Sequence, residues 1–151
     1  MLYLGTDHRG LKLKNQLKTW LTHKKIQFKD LGAYTLDPQD DFPDYTKLVA
    51  EKVLEDPENN KGILLCGSGA GVCIAANKFP GVRCSLGLDS RQVKSFAQHD
   101  SVNILSIASD HTSKFKTFQL VKTFLNTQFE GAQRQLRRLK KIKAIEEKYS
   151  A

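Results

Sequence analysis

Three short stretches of this 151-residue chain carry side chains suited to moving protons or holding anions. Asp7-His8-Arg9-Gly10 places a carboxylate, an imidazole and a guanidinium in consecutive positions. Cys66-Gly67-Ser68-Gly69-Ala70-Gly71 puts a thiol directly ahead of a glycine-rich loop, and Gln98-His99-Asp100 offers a second imidazole beside an acid. A cysteine followed by free backbone N–H groups and a helix N-terminus is favoured as thiolate, and the same amides can hold an oxyanion. These groups together describe acid–base chemistry on a small oxygen-rich molecule. The glycine loop is not a Walker loop, because no Gly-Lys-Ser/Thr follows. It also fails the dinucleotide fingerprint, because Val72 stands where the last glycine belongs. Each group alone has a plainer reading: a single cysteine is most often a buried structural one, which is how Cys73 and Cys84 are read, and His23 and His111 show nothing beyond ordinary surface histidines.

The elements that must position these groups follow from the hydrophobic pattern. Leu2 to Thr6, Gly62 to Cys66, Val82 to Leu86 and Ile104 to Ile107 read as short buried strands, and Ile26 to Leu31 as a more polar one. Between them, Leu13, Leu17, Trp20 and Leu21 give one amphipathic helix, Phe115, Phe118, Val121 and Leu125 another, and a helix is expected through Ile74 to Lys78. Alternating strands and helices predict an α/β fold: a single three-layer α/β/α domain over 1–151 with about five parallel strands, Rossmann-like, in which ligands sit beyond the carboxyl ends of the strands. Pro38 to Pro43 reads as loop and Asp56 to Lys61 as a polar turn, neither long enough to be a domain linker.

Composition narrows the function classes. With 40% hydrophobic and 26% charged residues the chain is neither disordered nor fibrous, and no window approaches the apolar length of a membrane helix or a signal peptide. Three cysteines without a CxxC pair or zinc-like spacing argue against a secreted disulfide framework, so a cytoplasmic setting and no membrane partner are expected. The net charge of +8 is uneven: residues 132–151 hold seven Lys or Arg against two Glu, whereas the first 131 residues hold 17 basic and 14 acidic groups. That tail, which has only Tyr149 as an aromatic, makes nucleic-acid binding an unfavoured reading.

In order along residues 2 to 145, Asp7-His8-Arg9-Gly10 with Leu11 to Lys14, Asp41-Phe42-Pro43-Asp44-Tyr45, Gly62 to Gly71, Ala75-Ala76-Asn77-Lys78, His99 to Leu105 and Phe129-Glu130-Gly131 resemble the ribose-5-phosphate isomerase B family, related to galactose-6-phosphate isomerase subunits. The resemblance implies an aldose–ketose isomerase without metal or other cofactor. Such an enzyme interconverts ribose 5-phosphate and ribulose 5-phosphate through an enediolate, in a site built across a dimer interface. Carried over onto matching positions, it implies Cys66 as the base, His99 in opening the furanose ring, Ser68 at the sugar hydroxyls, and Asp7 at the oxygens near the reacting carbons. It also implies that the amides of Gly67, Gly69 and Gly71 hold the enediolate oxygen, with Asp100 beside His99, and that His8 and Arg137 contact the phosphate. Tyr45 and Asn77 match the motifs, with structural roles the plainer reading.

The departures from the family pattern bear on the substrate. Asp110 stands where the family usually has an arginine, Gly131-Ala132-Gln133-Arg134 replaces Gly-Gly-Arg-His, Asp100 replaces an asparagine and Ser101 an aspartate. Arg134, Arg138 and Arg9 are nearby cations able to compensate, and an aspartate facing a phosphate would repel it, so Asp110 either points away or marks a changed substrate. Arg134, Arg137, Arg138 and Lys141 fall on one helical face, while Leu136, Leu139, Ile142, Ile145 and Tyr149 form an apolar stripe. Residues 132–151 are therefore expected to be a basic amphipathic helix used in homodimer or homotetramer packing. Two alternatives stand beside the pentose isomerase: an isomerase of another phosphosugar such as a hexose 6-phosphate, and a catalytically weak homologue whose tail binds RNA or another anion.

Overall fold

The computed structural model describes residues 1–150. Five strands, β1 (Leu2–Thr6), β2 (Phe28–Asp30), β3 (Lys61–Cys66), β4 (Cys84–Leu86) and β5 (Ile104–Ala108), form one sheet in the order β2-β1-β3-β5-β4, with every pairing parallel. Six helices connect or follow them: α1 (Leu11–His23), α2 (Phe42–Leu54), α3 (Ala70–Ala76), α4 (Ser90–His99), α5 (Lys114–Asn126) and α6 (Gln133–Tyr149). A 3-10 turn, His8–Gly10, links β1 to α1.

Burial on both faces explains the apolar strands. Along β3, Ile63 and Leu65 face a core shared with Leu13, Leu17 and Leu21 of α1, Val93 of α4 and Leu120, Val121 and Phe124 of α5. The alternate residues Leu64 and Cys66 face Val49, Ala50 and Val53 of α2 and Val72 and Ala76 of α3. Each fully buried leucine or isoleucine contributes about 2 kcal/mol of transfer free energy, enough to fix strand register.

The α/β/α expectation is met, with local corrections. The second strand is confined to Phe28–Asp30 and the fourth starts at Cys84 rather than Val82. The segment Pro38–Pro43 is loop only up to Asp41, since Phe42 and Pro43 open α2, where proline's missing N–H costs nothing. The third helix begins at Ala70 and ends at Ala76, ahead of the expected span. In α5 the buried face is Thr117, Leu120, Val121 and Phe124, whereas Phe115 is exposed. Among the described residues no helix is long and apolar enough to cross a membrane.

Lys14 is completely buried on α1, and its Nζ donates to Asp30 Oδ1 (2.5 Å) and to the Ala33 carbonyl (2.7 Å). Lys18 donates to the other oxygen of Asp30 at 2.6 Å. This triad ties α1 to the end of β2 and to the start of the long loop that crosses above the sheet.

Candidate active site

The strand order reverses between β1 and β3, so the crevice at their carboxyl ends is the switch point where α/β sheets bind ligands. Thr6 is paired with Leu65, and the two chains leave the sheet side by side as Asp7-His8-Arg9 and Cys66-Gly67-Ser68. Thr6 Oγ1 donates to the Leu65 carbonyl at 2.9 Å, fastening the two exits together.

Asp7 is almost wholly buried, and its Oδ1 accepts the N–H groups of Arg9 (3.0 Å) and Gly10 (3.4 Å), capping the 3-10 turn. Burial raises its carboxyl above the usual range, partly offset by those two N–H donors. His8 is held by Asp40 of the long loop: Oδ1 lies 2.6 Å from Nδ1 and accepts the His8 backbone N–H at 3.0 Å. Tyr45 packs its ring against Gly32, and desolvation with the negative charge of Asp40 raises its phenol.

Cys66 is buried as the last residue of β3, and its carbonyl accepts both the N–H (2.9 Å) and the hydroxyl (2.8 Å) of Ser109. The loop beyond it turns sharply at Gly69, whose φ of 71° suits glycine, and a Cβ there would sit 2.9 Å from Ala108 N. The exposed Ser68 hydroxyl accepts the Ala70 N–H at 3.2 Å, leaving its own proton free to be donated. The N–H groups of Ser68 and Gly69 enter none of the backbone hydrogen bonds among the described residues, as an oxyanion cradle requires. The Phe42 ring lies against Gly71 and covers the loop from the α2 side.

Asn77 has a structural role. Its amide spans the Cys73 and Cys84 carbonyls (3.0 and 2.9 Å) and its Oδ1 accepts the Cys84 N–H at 2.8 Å, locking the end of α3 to β4. His23 and His111 are exposed, in keeping with their plain reading.

His99 and Asp100 are not at this crevice in the same chain. Cys66 stands opposite Ala108 at the carboxyl end of β5, whereas His99 ends α4 ahead of Ile104 at the amino end. Four residue steps separate those ends, about 13 Å along the sheet. Around His99 lie groups that gather at that opposite edge. Glu130 Oε2 is 3.7 Å from His99 Nε2, Gln98 Nε2 donates to Glu130 Oε1 at 2.5 Å, and Gln135 of α6 donates to Glu130 Oε2 at 2.9 Å. The first turns of α6, with the exposed Arg134 and Arg137, start from the same cluster. The chain thus carries two clusters of candidate residues at opposite ends of one sheet.

Helix α6 lies almost bare. Only Gln135 is buried, Glu146 accepts the Gly81 N–H at 3.1 Å, and Leu136, Ile142 and Ile145 of the apolar stripe are 51%, 44% and 59% exposed.

Asp40, Glu130 and Phe42 are the neighbours that sequence reasoning did not single out. Phe42 and Glu130 fall inside quoted motifs, but nothing in the spacing assigns them contacts, and Asp40 lies 32 residues from the histidine it holds.

Comparison with known proteins matches residues 2–142 to the model of the Ribose/Galactose Isomerase family. The chain belongs to that family. It is therefore an aldose–ketose sugar-phosphate isomerase, as the motifs imply. Among relatives, a probable ribose-5-phosphate isomerase B of Mycoplasma pneumoniae is 42% identical over 96% of this chain and 94% of its own length. The crystal structure of ribose-5-phosphate isomerase B from Mycoplasma genitalium with bound ribulose-5-phosphate is 38% identical with a TM-score of 0.92, covering 97% of this chain and 95% of that one. A ribose 5-phosphate isomerase from Thermotoga maritima is 35% identical with a TM-score of 0.89, covering 95% and 97%.

Proposed function

We propose that this isomerase interconverts ribose 5-phosphate and ribulose 5-phosphate in the cytoplasm, as a homodimer or a tetramer built from such dimers. The observation that carries the reading is the thiol of Cys66 at the β1/β3 switch point, beside Asp7 and a glycine loop with free N–H groups, in a chain 38% identical to a structure holding ribulose-5-phosphate.

In the forward direction the Cys66 thiolate removes the proton from C2 of the open-chain aldose. The electron pair left on C2 forms the C1–C2 double bond as the C1 carbonyl becomes the enediolate oxygen. Amides of the Gly67–Gly71 loop stabilise that oxygen, a contribution of about 3 kcal/mol per well-placed donor. The thiol then returns the proton to C1, and the proton on O2 moves to O1, giving the ketose. Ser68, whose hydroxyl donates to no protein acceptor, and Asp7, a buried carboxyl on the neighbouring strand exit, suit that oxygen-to-oxygen transfer.

His99 opens the ring from the partner chain. Within one chain the sheet keeps His99 away from Cys66, so a two-fold pair of chains is needed to bring one protomer's His99, Asp100, Arg134 and Arg137 to the other's Cys66. The bare apolar stripe of α6 supplies a surface for that pairing, and its basic face then meets the substrate phosphate.

The experiment is isomerisation of ribose 5-phosphate by the purified protein, beside Cys66→Ala and a panel of hexose 6-phosphates. Activity on the pentose phosphate that vanishes in the variant supports the reading. Activity on a hexose phosphate alone reassigns the substrate, and a folded protein inert on every sugar contradicts it.

A further inference from the structure

Arg9 leaves the 3-10 turn and lies across the backbone of Gly67, its Nε 2.7 Å from the point where a Cβ on residue 67 would sit. Asp110, from the loop after β5, reaches the same point, with Oδ2 2.8 Å away. The two side chains form an ion pair through Nη2 and Oδ2, and only a glycine at position 67 leaves room for it. The backbone of Asp110 is pinned as well: its N–H donates to the Gly67 carbonyl at 3.0 Å.

Such a pair contributes little to folding, since the Arg9 side chain is 57% exposed and that of Asp110 35%. What the pair does is aim the guanidinium. Asp110 takes Nη2 and no other protein acceptor among the described residues engages the group, so the remaining donors of the planar fork are unclaimed on a half-exposed side chain that follows His8 in the chain. An oriented guanidinium with free donors is the geometry that binds a phosphate monoester in bidentate fashion.

We propose that Arg9, positioned by Asp110, binds the phosphate dianion of the substrate on the Cys66 side of the site, and that Asp110 weakens that binding by offsetting part of the Arg9 charge. The proposal rests on the isomerase reading and gives Asp110 a function: it accompanies a cation that sits over the glycine loop. The phosphate meets directed hydrogen bonds at this point without excess positive charge, so selection is by geometry.

The test uses the full-length protein with Arg9→Gln and Asp110→Asn, thermal melting confirming that both exposed changes leave the fold intact. KM and kcat for ribose 5-phosphate, the inhibition constant of inorganic phosphate, and the rate with unphosphorylated ribose are measured. Arg9→Gln is expected to raise both KM and the phosphate inhibition constant about tenfold or more, the loss of one charge-assisted hydrogen bond, while kcat and the ribose rate stay nearly constant. Asp110→Asn, which keeps an acceptor but removes the charge, is expected to tighten phosphate inhibition. Unchanged phosphate constants in Arg9→Gln, a ribose rate that falls in step with that of ribose 5-phosphate, or phosphate binding in Asp110→Asn that is no tighter would each overturn the proposal. Should the wild type fail to isomerise ribose 5-phosphate, the pentose phosphate reading falls, and calorimetric titration of inorganic phosphate into wild type and Arg9→Gln still decides the role of Arg9.

Discussion

One carboxylate oxygen, Asp40 Oδ1, holds His8 twice, at Nδ1 (2.6 Å) and at the backbone N–H (3.0 Å). The ring nitrogen Nε2 enters no hydrogen bond among the described residues, so a loop residue far away in sequence decides how the imidazole is presented. The second oxygen, Oδ2, is buried with no hydrogen-bond partner among the described residues. Such an oxygen costs stability, and its retention points to a role in the site.

Asp40→Ala is therefore expected to raise KM for the phosphosugar several-fold, about the 1 kcal/mol of one hydrogen bond, with a smaller effect on kcat. Its melting temperature is expected to fall modestly, because both hydrogen bonds to His8 are lost. Steady-state kinetics and a thermal melt check both halves.

Cys66→Ala removes the proposed base from a nearly closed position at the end of β3. The expected loss in kcat is about 10²-fold or more, the contribution of a positioned base. Folding tolerates the change, since a single buried sulfur atom is lost. Kinetics on a variant with an unaltered melting curve would show it.

The Lys14–Asp30–Lys18 triad gives a pH signature in stability. Burial raises the Asp30 carboxyl, but hydrogen bonds from Lys14, Lys18 and the Gly32 N–H outweigh it and hold Asp30 below its usual value. A depressed carboxylate stabilises the fold above its unfolded value near 3.9 and loses that contribution as pH falls through the lower folded value. Asp30→Asn is expected to flatten the stability–pH curve below about pH 4 and, by leaving the fully buried Lys14 without a counter-charge, to cost about 3 kcal/mol at neutral pH. Urea unfolding across pH measures both effects.

Much of the fold was legible because buried parallel strands are runs of apolar residues, and Leu2–Thr6 and Lys61–Cys66 stand within a residue of their expected bounds. The helix α2 leaves little trace in the hydrophobic pattern. Its buried face is only Thr46, Val49, Ala50 and Val53, and exposed Leu48 and partly buried Leu54 blur the periodicity. The candidate site was legible as a set of residue types but not as a set of contacts. Arg9 meets Asp110 across 101 positions, and His8 meets Asp40 across 32, pairings that strand order dictates and local spacing does not record. The position of His99 at the amino end of the sheet, away from Cys66, is likewise set by topology, because a helix returning antiparallel to its strand ends there.

The exposed stripe of α6 predicts the effect of breaking it. Leu136→Asp combined with Ile142→Asp leaves the monomer's own core untouched, since both residues are largely exposed. The double variant is expected to sediment as a folded monomer and to lose isomerase activity with its assembly. A fully active monomer would count against a shared site.

The division of the site between two chains is tested most directly by complementation. Cys66→Ala and His99→Ala proteins, each inactive alone, are mixed, unfolded and refolded together, and assayed with ribose 5-phosphate. If one protomer's Cys66 works with the other's His99, half of the re-formed dimers are hybrids with one intact site, and activity returns to about a quarter of the wild-type value. A mixture as inactive as its two parents would contradict the account.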